Sequence, residues 1–335
     1  MFFCYTNNMK KVIGVLRGGI WENYEKSLSE GGKIISHIFE NLFHKWKPVD
    51  ILVDKSGNWH LSGLPIKPAQ LMNKVDVVWN FSHPSYSKTL LDFSIPNIEV
   101  NFFSKTLVSR EMLREHMKKI GINMPRAFII PVYQKDFDEP LEEYAIKKAK
   151  EVFEKFASPW IIKPLAEDLN VALPGSLVGL RPRVGLYSRG IHIAKNFPEL
   201  VSAIIDCIKH QKSILVEEFI FGKTASVHSV AGFRGENIYS FPPIENKNGV
   251  IVSPGKFSSI EKEKLTNLVK KIYHHINTSQ YLKSDFILHP SGDIYLTHIE
   301  FYPNLDPDSC FFKSCESVGT KAHHIIEHIL ERALI

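Results

Sequence analysis

The sequence predicts a mixed chain, α/β at its start and α+β beyond, with a parallel sheet in the first domain. Three stretches carry that prediction. Val12-Ile13-Gly14-Val15-Leu16 is a buried-strand run that ends in Arg17-Gly18-Gly19, and an amphipathic helical pattern follows it. Strand, glycine turn and helix together open a βαβ unit, where glycines let backbone N–H groups approach a ligand. Further on, charged helical patterns alternate with short apolar strands. Lys283 to Ser309, KSDFILHPSGDIYLTHIEFYPNLDPDS, then holds two β-forming runs about the turn signal Pro290-Ser291-Gly292-Asp293. The 335 residues are enough for two or three cores. The first, an N-terminal α/β domain, is expected to close at about residue 103.

The elements follow in order. The first helix spans about Glu25 to Phe43, with Leu28, Ile34, Ile35, Ile38, Phe39 and Leu42 as its apolar face. Strands are expected at Val49–Val53, Trp59–Leu61, Val75–Phe81 and near Ile98–Val100. The third ends at Ser82-His83-Pro84, and strand ends are where open α/β sheets place ligands. Ser104 to Gly121 reads as a helix, Arg126 to Pro131 as a strand and Glu139 to Phe156 as a charged helix. Pro159-Trp160-Ile161-Ile162-Lys163-Pro164 is an apolar strand with one lysine. Either its ammonium meets an anion or its stem snorkels to the strand end. Leu165 to Arg189 is a glycine-containing loop, read as a functional flap or as disorder. A helix (Phe197–His210), a strand (Ser213–Ile220), a hairpin (Ala225–Phe233 with Asn237–Phe241) and a helix (Ser259–Thr278) lead to the 283–309 stretch. Lys313 to Ala333 gives the final helices.

Centring that hairpin between Ser291 and Gly292 sets Asp285 opposite His298. Alternation then puts Glu300 on the same face. Carboxylates converging at a strand end suit a hard cation and the phosphates it holds, and a solvated polar face is the alternative. His324-Ile325-Ile326-Glu327-His328 matches a zinc-peptidase pattern. It lacks an evident third ligand, so surface histidines are the expectation. Net charge is +5 with no Lys/Arg run, which argues against nucleic acid. No apolar run reaches the roughly 18 residues of a membrane span. The opening MFFCYTNNMKK is too short and polar for a signal peptide. The four cysteines show no CxxC spacing and fit a reducing compartment. The expected location is cytoplasmic.

Taken together, these pieces resemble the D-alanine–D-alanine ligases of the ATP-grasp superfamily, over nearly the whole chain. The resemblance rests on Val15-Leu16-Arg17-Gly18-Gly19 with Tyr24-Glu25 and Ser27-Leu28, on Ile161-Ile162-Lys163-Pro164, and on Gly190-Ile191 with Lys195-Asn196. It continues in Ile214-Leu215-Val216-Glu217-Glu218-Phe219-Ile220 with Gly222, Pro242-Pro243-Ile244-Glu245, Ser284-Asp285-Phe286, and Pro303 with Ser309. It implies an ATP-grasp fold behind an N-terminal parallel-sheet domain, divided as 1–103, the N-terminal α/β substrate-side domain; 104–189, a central ATP-grasp subdomain with a flap loop; and 190–335, a C-terminal ATP-grasp subdomain with the metal hairpin, with ATP clamped between two sheets. It also implies ATP and Mg²⁺ or Mn²⁺ as cofactors and D-amino acids as substrates. No nucleic acid or membrane partner is implied, and a homodimer is allowed. In such enzymes ATP phosphorylates one carboxylate, and a second amine attacks the acylphosphate to give a peptidoglycan dipeptide.

Carried over by position, Lys163 and Arg110 match phosphate-binding cations, and Glu217, Glu218, Phe219 and Ile220 match the adenine strand end. Asp285, His298 and Glu300 fall at the metal positions. Lys283 falls at the arginine beside them and Ser188 at the flap serines, both catalytic. Glu22, Asn23, His83, Asn304 and Ser309 fall on the substrate side. Departures cluster on the chemistry. The amine-binding glutamate falls on Asn23, with Glu22 out of register. The metal glutamate falls on His298, the metal asparagine on Glu300, and the glycine after Pro303 on Asn304. Histidine is a poor magnesium ligand and favours manganese or zinc. A longer closing loop is reduced to Asn246–Val252. The alternatives are therefore a degenerate ATP-grasp nucleotide-binding protein, or a ligase with different amino-acid substrates.

Overall fold

The fold was analysed in a computed structural model, which describes residues 10–21, 24–83, 85–98, 110–165, 192–209, 213–247, 250–276, 278 and 280–335. The opening apolar run forms β1 (Lys11–Gly18), and the amphipathic pattern after it forms α1 (Tyr24–Asn41). Next come β2 (Trp46–Val53), β3 (Trp59–Leu61), β4 (Leu64–Ile66), β5 (Val77–Asn80), α2 (Ser85–Asp92) and β6 (Asn97–Ile98). These strands make one sheet in the order β4-β3-β2-β1-β5-β6. The four from β2 to β6 across β1 are parallel, as expected, while β3 and β4 turn back antiparallel at one edge. At the end of β1, Gly19 has φ +111°, and a Cβ there would lie 2.7 Å from the Ser82 hydroxyl. Only glycine lets that turn approach so closely.

The second sheet holds β7 (Ala127–Ile130), β8 (Trp160–Pro164), β9 (His192–Ala194) and β10 (Ile214–Glu218), in the order β7-β10-β8-β9. It takes in β9 and β10 and so runs past residue 189, where the sequence reading divided the chain. α3 (Arg110–Lys119) precedes this sheet. α4 (Leu141–Lys155) and α5 (Phe197–Ile208) cover one of its faces, packing Ala149, Val152, Leu200 and Ile204 onto Trp160, Ile162 and Val216. Asn196 caps α5 by accepting the Glu199 N–H at 3.0 Å.

The third sheet is β12-β11-β15-β16, from β11 (Lys223–Ala231), β12 (Ile238–Ser240), β15 (Tyr281–Leu288) and β16 (Ile294–Glu300). A two-stranded ribbon, β13 (Glu245–Lys247) with β14 (Val250–Val252), and α6 (Ser259–Ile276) lie between β12 and β15. α7 (Cys310–Ser317) and α8 (Ala322–Arg332) follow. Alternation sorts this sheet. Ala225, Val227, Leu282 and Phe286 pack beneath α3 and α6 with Leu113, Met117, Val269 and Ile272. The residues between them project from the other face. A further core joins distant parts of the chain: Ile34 and Ile38 of α1, Leu42 just after it and Val77 of β5 pack with Ile325, Ile329 and Leu330 of α8. Lys33 reinforces the join with an ion pair to Asp306 at 2.8 Å.

Among the described residues, no helix is long and apolar enough to cross a membrane. β4, α2, β9, β13 and β14 are elements the sequence reading did not place.

Candidate active site

Lys163 stands on β8 beside Glu217 of β10, which lies diagonally across the pair on the same face. The lysine is buried, and its ammonium pairs with the Glu217 carboxylate. Arg114, on α3, reaches the same carboxylate and also donates to the Pro125 carbonyl. The lysine therefore does not snorkel: it meets an anion, and the anion is the protein's own. A buried lysine needs such a partner, because desolvating an unpaired ammonium is costly. Glu218 projects from the opposite face of β10. Arg126 grips it in a fork, at 2.9 Å from Nε and 2.7 Å from Nη2, and holds its carboxyl below the usual range. Ile220 is buried, and Phe219 packs edge-on against Phe221.

The third sheet supplies the other wall. Ser226, Asp285 and His298 form one cross-strand row, and His228, Lys283 and Glu300 form the next. Lys283 Nζ lies 3.1 Å from Asp285 Oδ2 and 3.1 Å from Glu300 Oε2. The Ser226 hydroxyl donates to Asp285 Oδ1 at 2.6 Å, and His298 Nε2 lies 3.5 Å from Glu300 Oε1. Burial disfavours the charge on Lys283, but Asp285 and Glu300 outweigh it and raise its pKa. Burial likewise opposes ionisation of Glu300, and the His298 hydrogen bond and the Lys283 charge outweigh it, so its pKa falls. Behind Lys283, His228 is fully buried with Nδ1 2.6 Å from the Tyr281 hydroxyl. Burial, helped by the charge of Lys283, pushes its pKa down to about 3.

The pairing of Asp285 with His298 is the expected one, but the hairpin is not centred where the sequence reading put it. Phe286 pairs with Leu296 and Leu288 with Ile294, which centres the turn on Ser291, and the register shifts between Asp285 and Phe286. Thr297 is the extra residue. Its hydroxyl donates to the Asp285 carbonyl at 3.0 Å and holds the bulge.

A divalent ion on two carboxylates needs their oxygens free to converge. Here Lys283 lies between them, and His298 is a poor donor for magnesium. Among the described residues no set of three or more His, Cys, Asp and Glu is arranged to hold a metal ion. Asp285, His298 and Glu300 share one face as expected, yet in this arrangement they do not fit the expected divalent ion.

The two walls meet. A small cleft is lined by Arg114 and Glu217 on one side and by Thr297, His298 and Ile299 on the other. Leu296 ties the walls by donating its N–H to the Asn123 carbonyl at 2.8 Å. On the substrate side, Asn304 and Ser309 come together in one turn, where the Ser309 hydroxyl donates to the Asn304 carbonyl at 2.8 Å. His83 stacks on Trp21 with centroids 4.0 Å apart. The Phe81 and Tyr302 rings, 5.3 Å apart, join the strand end before His83 to the segment after β16. Glu22, Asn23, Ser188 and the Arg110 side chain lie outside the described residues, as does most of the expected flap.

Sequence reasoning missed Arg114, Ser226 and His228. Arg114 lies one helical turn beyond Arg110, and Ser226 and His228 alternate along Ser226-Val227-His228, so spacing held a signal for all three. The zinc-peptidase pattern resolves into structure: His328 Nε2 lies 2.8 Å from the Ala231 carbonyl, and His324 is exposed.

A family model described as D-ala D-ala ligase C-terminus matches residues 117–331, more than half of the chain. The D-alanine–D-alanine ligase of Oceanobacillus iheyensis is 20% identical over 383 residues, covering 97% of this chain and 96% of its own. That of Fervidobacterium nodosum is 22% identical over 349 residues, covering 96% and 98%. Among solved structures, D-alanyl-alanine synthetase A from Vibrio cholerae superposes with TM-score 0.72 at 18% identity, covering 97% of this chain and 98% of that one. The VanG D-Ala:D-Ser ligase of Enterococcus faecalis gives 0.70 at 18% identity, covering 97% and 99%. A D-alanine–D-alanine ligase from Bacillus anthracis, solved with ATP, gives 0.67.

Proposed function

The chain belongs to the D-ala D-ala ligase C-terminus family and has the ATP-grasp fold of those ligases, and on that premise we propose that it is an ATP-dependent carboxylate–amine ligase of peptidoglycan synthesis. The observation that carries the reading is the cleft between the second and third sheets, where Arg114 of α3 and Glu217, the partner of Lys163, stand across from His298, the strand neighbour of Asp285. Phosphoryl transfer asks a protein mainly for positioning and for cations preorganised around developing charge. Lys163 and Arg114 would share their hydrogen bonds between Glu217 and the phosphates, with the adenine edge along Glu217 to Ile220. A carboxylate oxygen of the first D-amino acid attacks the γ-phosphorus, and ADP leaves. The amine of the second then attacks the acylphosphate carbon, phosphate departs, and the amine gives up a proton. Lys283 is the cation nearest the face where that oxyanion forms. Ser309 and the Asn304 turn would hold the second carboxylate and His83 would serve the first substrate, while Glu22, Asn23 and Ser188 keep only the roles that the family resemblance gives their positions. Among the described residues Cys207, Cys310 and Cys315 form no disulfide, which suits a cytoplasmic setting.

Phosphate release from ATP, measured with and without D-alanine and with the product identified by mass, tests this. D-alanine-dependent release with dipeptide is the expected result. A second reading, a nucleotide-binding relative that makes no dipeptide, draws on the short β13–β14 ribbon where the family resemblance calls for a longer closing loop. Its signature is tight ADP binding by calorimetry with no D-alanine-dependent release.

A further inference from the structure

We propose that the Lys283 ammonium is the resident cation of this site, standing where a divalent ion would otherwise be held between Asp285 and Glu300. The inference rests on the ligase reading only in taking this face of the third sheet as one wall of the ATP site.

Position is the first argument. Lys283 is directly opposite Glu300 in the ladder and two residues before Asp285, so the strand pairing itself delivers the ammonium between the carboxylates. Both distances are 3.1 Å, and the three side chains are only 12–15% exposed. The second argument is that the carboxylate oxygens are already engaged. Asp285 gives one to Lys283 and one to Ser226, and Glu300 gives one to Lys283 and turns the other to His298. An ion entering here would have to expel the ammonium. The third argument is that the lysine gains nothing by turning toward β11. His228, its neighbour across β11, is fully buried with Nδ1 engaged by the Tyr281 hydroxyl. An ammonium pushed that way would lose both carboxylates and gain a neutral ring. The donor set agrees, because a histidine in third place is wrong for the hard cation of nucleotide chemistry. The protein's own carboxylates then serve to hold a lysine, and the only divalent ion the cleft takes in is one carried by the nucleotide's phosphates.

The test is a Mn²⁺ titration of the full-length protein without nucleotide, following free Mn²⁺ by electron paramagnetic resonance. Wild type should bind no Mn²⁺ in the micromolar range. Lys283→Met removes the charge but keeps the stem's bulk, and should gain affinity by about tenfold or more. The double variant Lys283→Met/Asp285→Asn should lose that gain. Micromolar binding by wild type that Asp285→Asn abolishes would overturn the proposal, as would a folded Lys283→Met that gains nothing. A wild-type measurement covers the case in which Lys283→Met fails to fold. ADP affinity in EDTA should stay within about tenfold of that in Mg²⁺, and a far larger, Asp285-dependent loss would overturn the idea. Absence of D-alanine-dependent phosphate release would sink the ligase reading and leave the Mn²⁺ result standing.

Discussion

Replacing Glu217 by glutamine should be far more damaging than replacing the lysine it holds. Lys163 and Arg114 are 4% and 18% exposed at the side chain, and both address a carboxylate that is itself 10% exposed. Glu217→Gln leaves two cations facing one another where water barely reaches. Deleting one partner of a buried pair costs about 3–5 kcal/mol, and the repulsion left behind places this variant at the upper end. Lys163→Met is milder. Glu217 keeps Arg114, methionine fills much of the stem's space, and the loss is that of one charged hydrogen bond, about 1.5–3 kcal/mol. The double variant should recover part of what Glu217→Gln loses, because one of the stranded cations is gone. Urea denaturation at pH 7 reads all three, with fluorescence of Trp160, buried on the same strand as Lys163, as one probe. The reasoning fails if Lys163→Met costs as much as Glu217→Gln, or if the double variant costs their sum.

Two further outcomes are expected. The His228 pKa, near 3 when folded against 6.5 unperturbed, means that the unfolded chain takes the proton first as pH falls. Its contribution is complete above about pH 6.5 and is lost progressively toward pH 3. Between pH 7 and 5 this group alone should remove roughly 2 kcal/mol of stability. His228→Phe should flatten the urea-derived profile by that amount, and an unchanged slope would show that some other group carries it. Gly19→Ala and Gly32→Ala should move melting temperature in opposite directions. Gly19 has φ +111° and no room beside Ser82, so alanine there costs more than about 1 kcal/mol. Gly32 lies inside α1 with its nearest neighbour 3.6 Å from a built Cβ, so alanine gains about 0.5–1 kcal/mol. Thermal unfolding of the two variants side by side decides it.

Local pattern and long-range contact divide what could be read in the residues alone. β1, α1, β5, β10 and the β15–β16 hairpin were legible because each carries a period or a turn signal of its own. β4, β9, β13 and β14 have two or three residues' worth of pattern and exist because a neighbouring strand offers a ladder. The Asp285–His298 pairing was legible, but the bulge beneath it was not, since a single extra residue leaves no mark on apolar spacing. Lys163 was singled out as a charge in an apolar strand. Its partner Glu217, with Arg114 behind it, is distant in sequence and is brought near only by the second sheet and α3. Lys283 was recognised by position, yet its placement between two carboxylates emerges only once β15 and β16 are in register.

The shared core of α1, β5 and α8 has a consequence for how the protein is made. A ribosome completes the strands of the first sheet long before it reaches Ile325, Ile329 and Leu330, which finish the packing around Ile34, Ile38 and Leu42. Until then α1 carries an apolar stripe with its cover missing, the condition in which nascent chains recruit chaperones or aggregate. Closing that core requires contacts spanning nearly the whole sequence, so the folding rate should be governed by the docking of α8 rather than by the rapid local assembly of β1, α1 and β2.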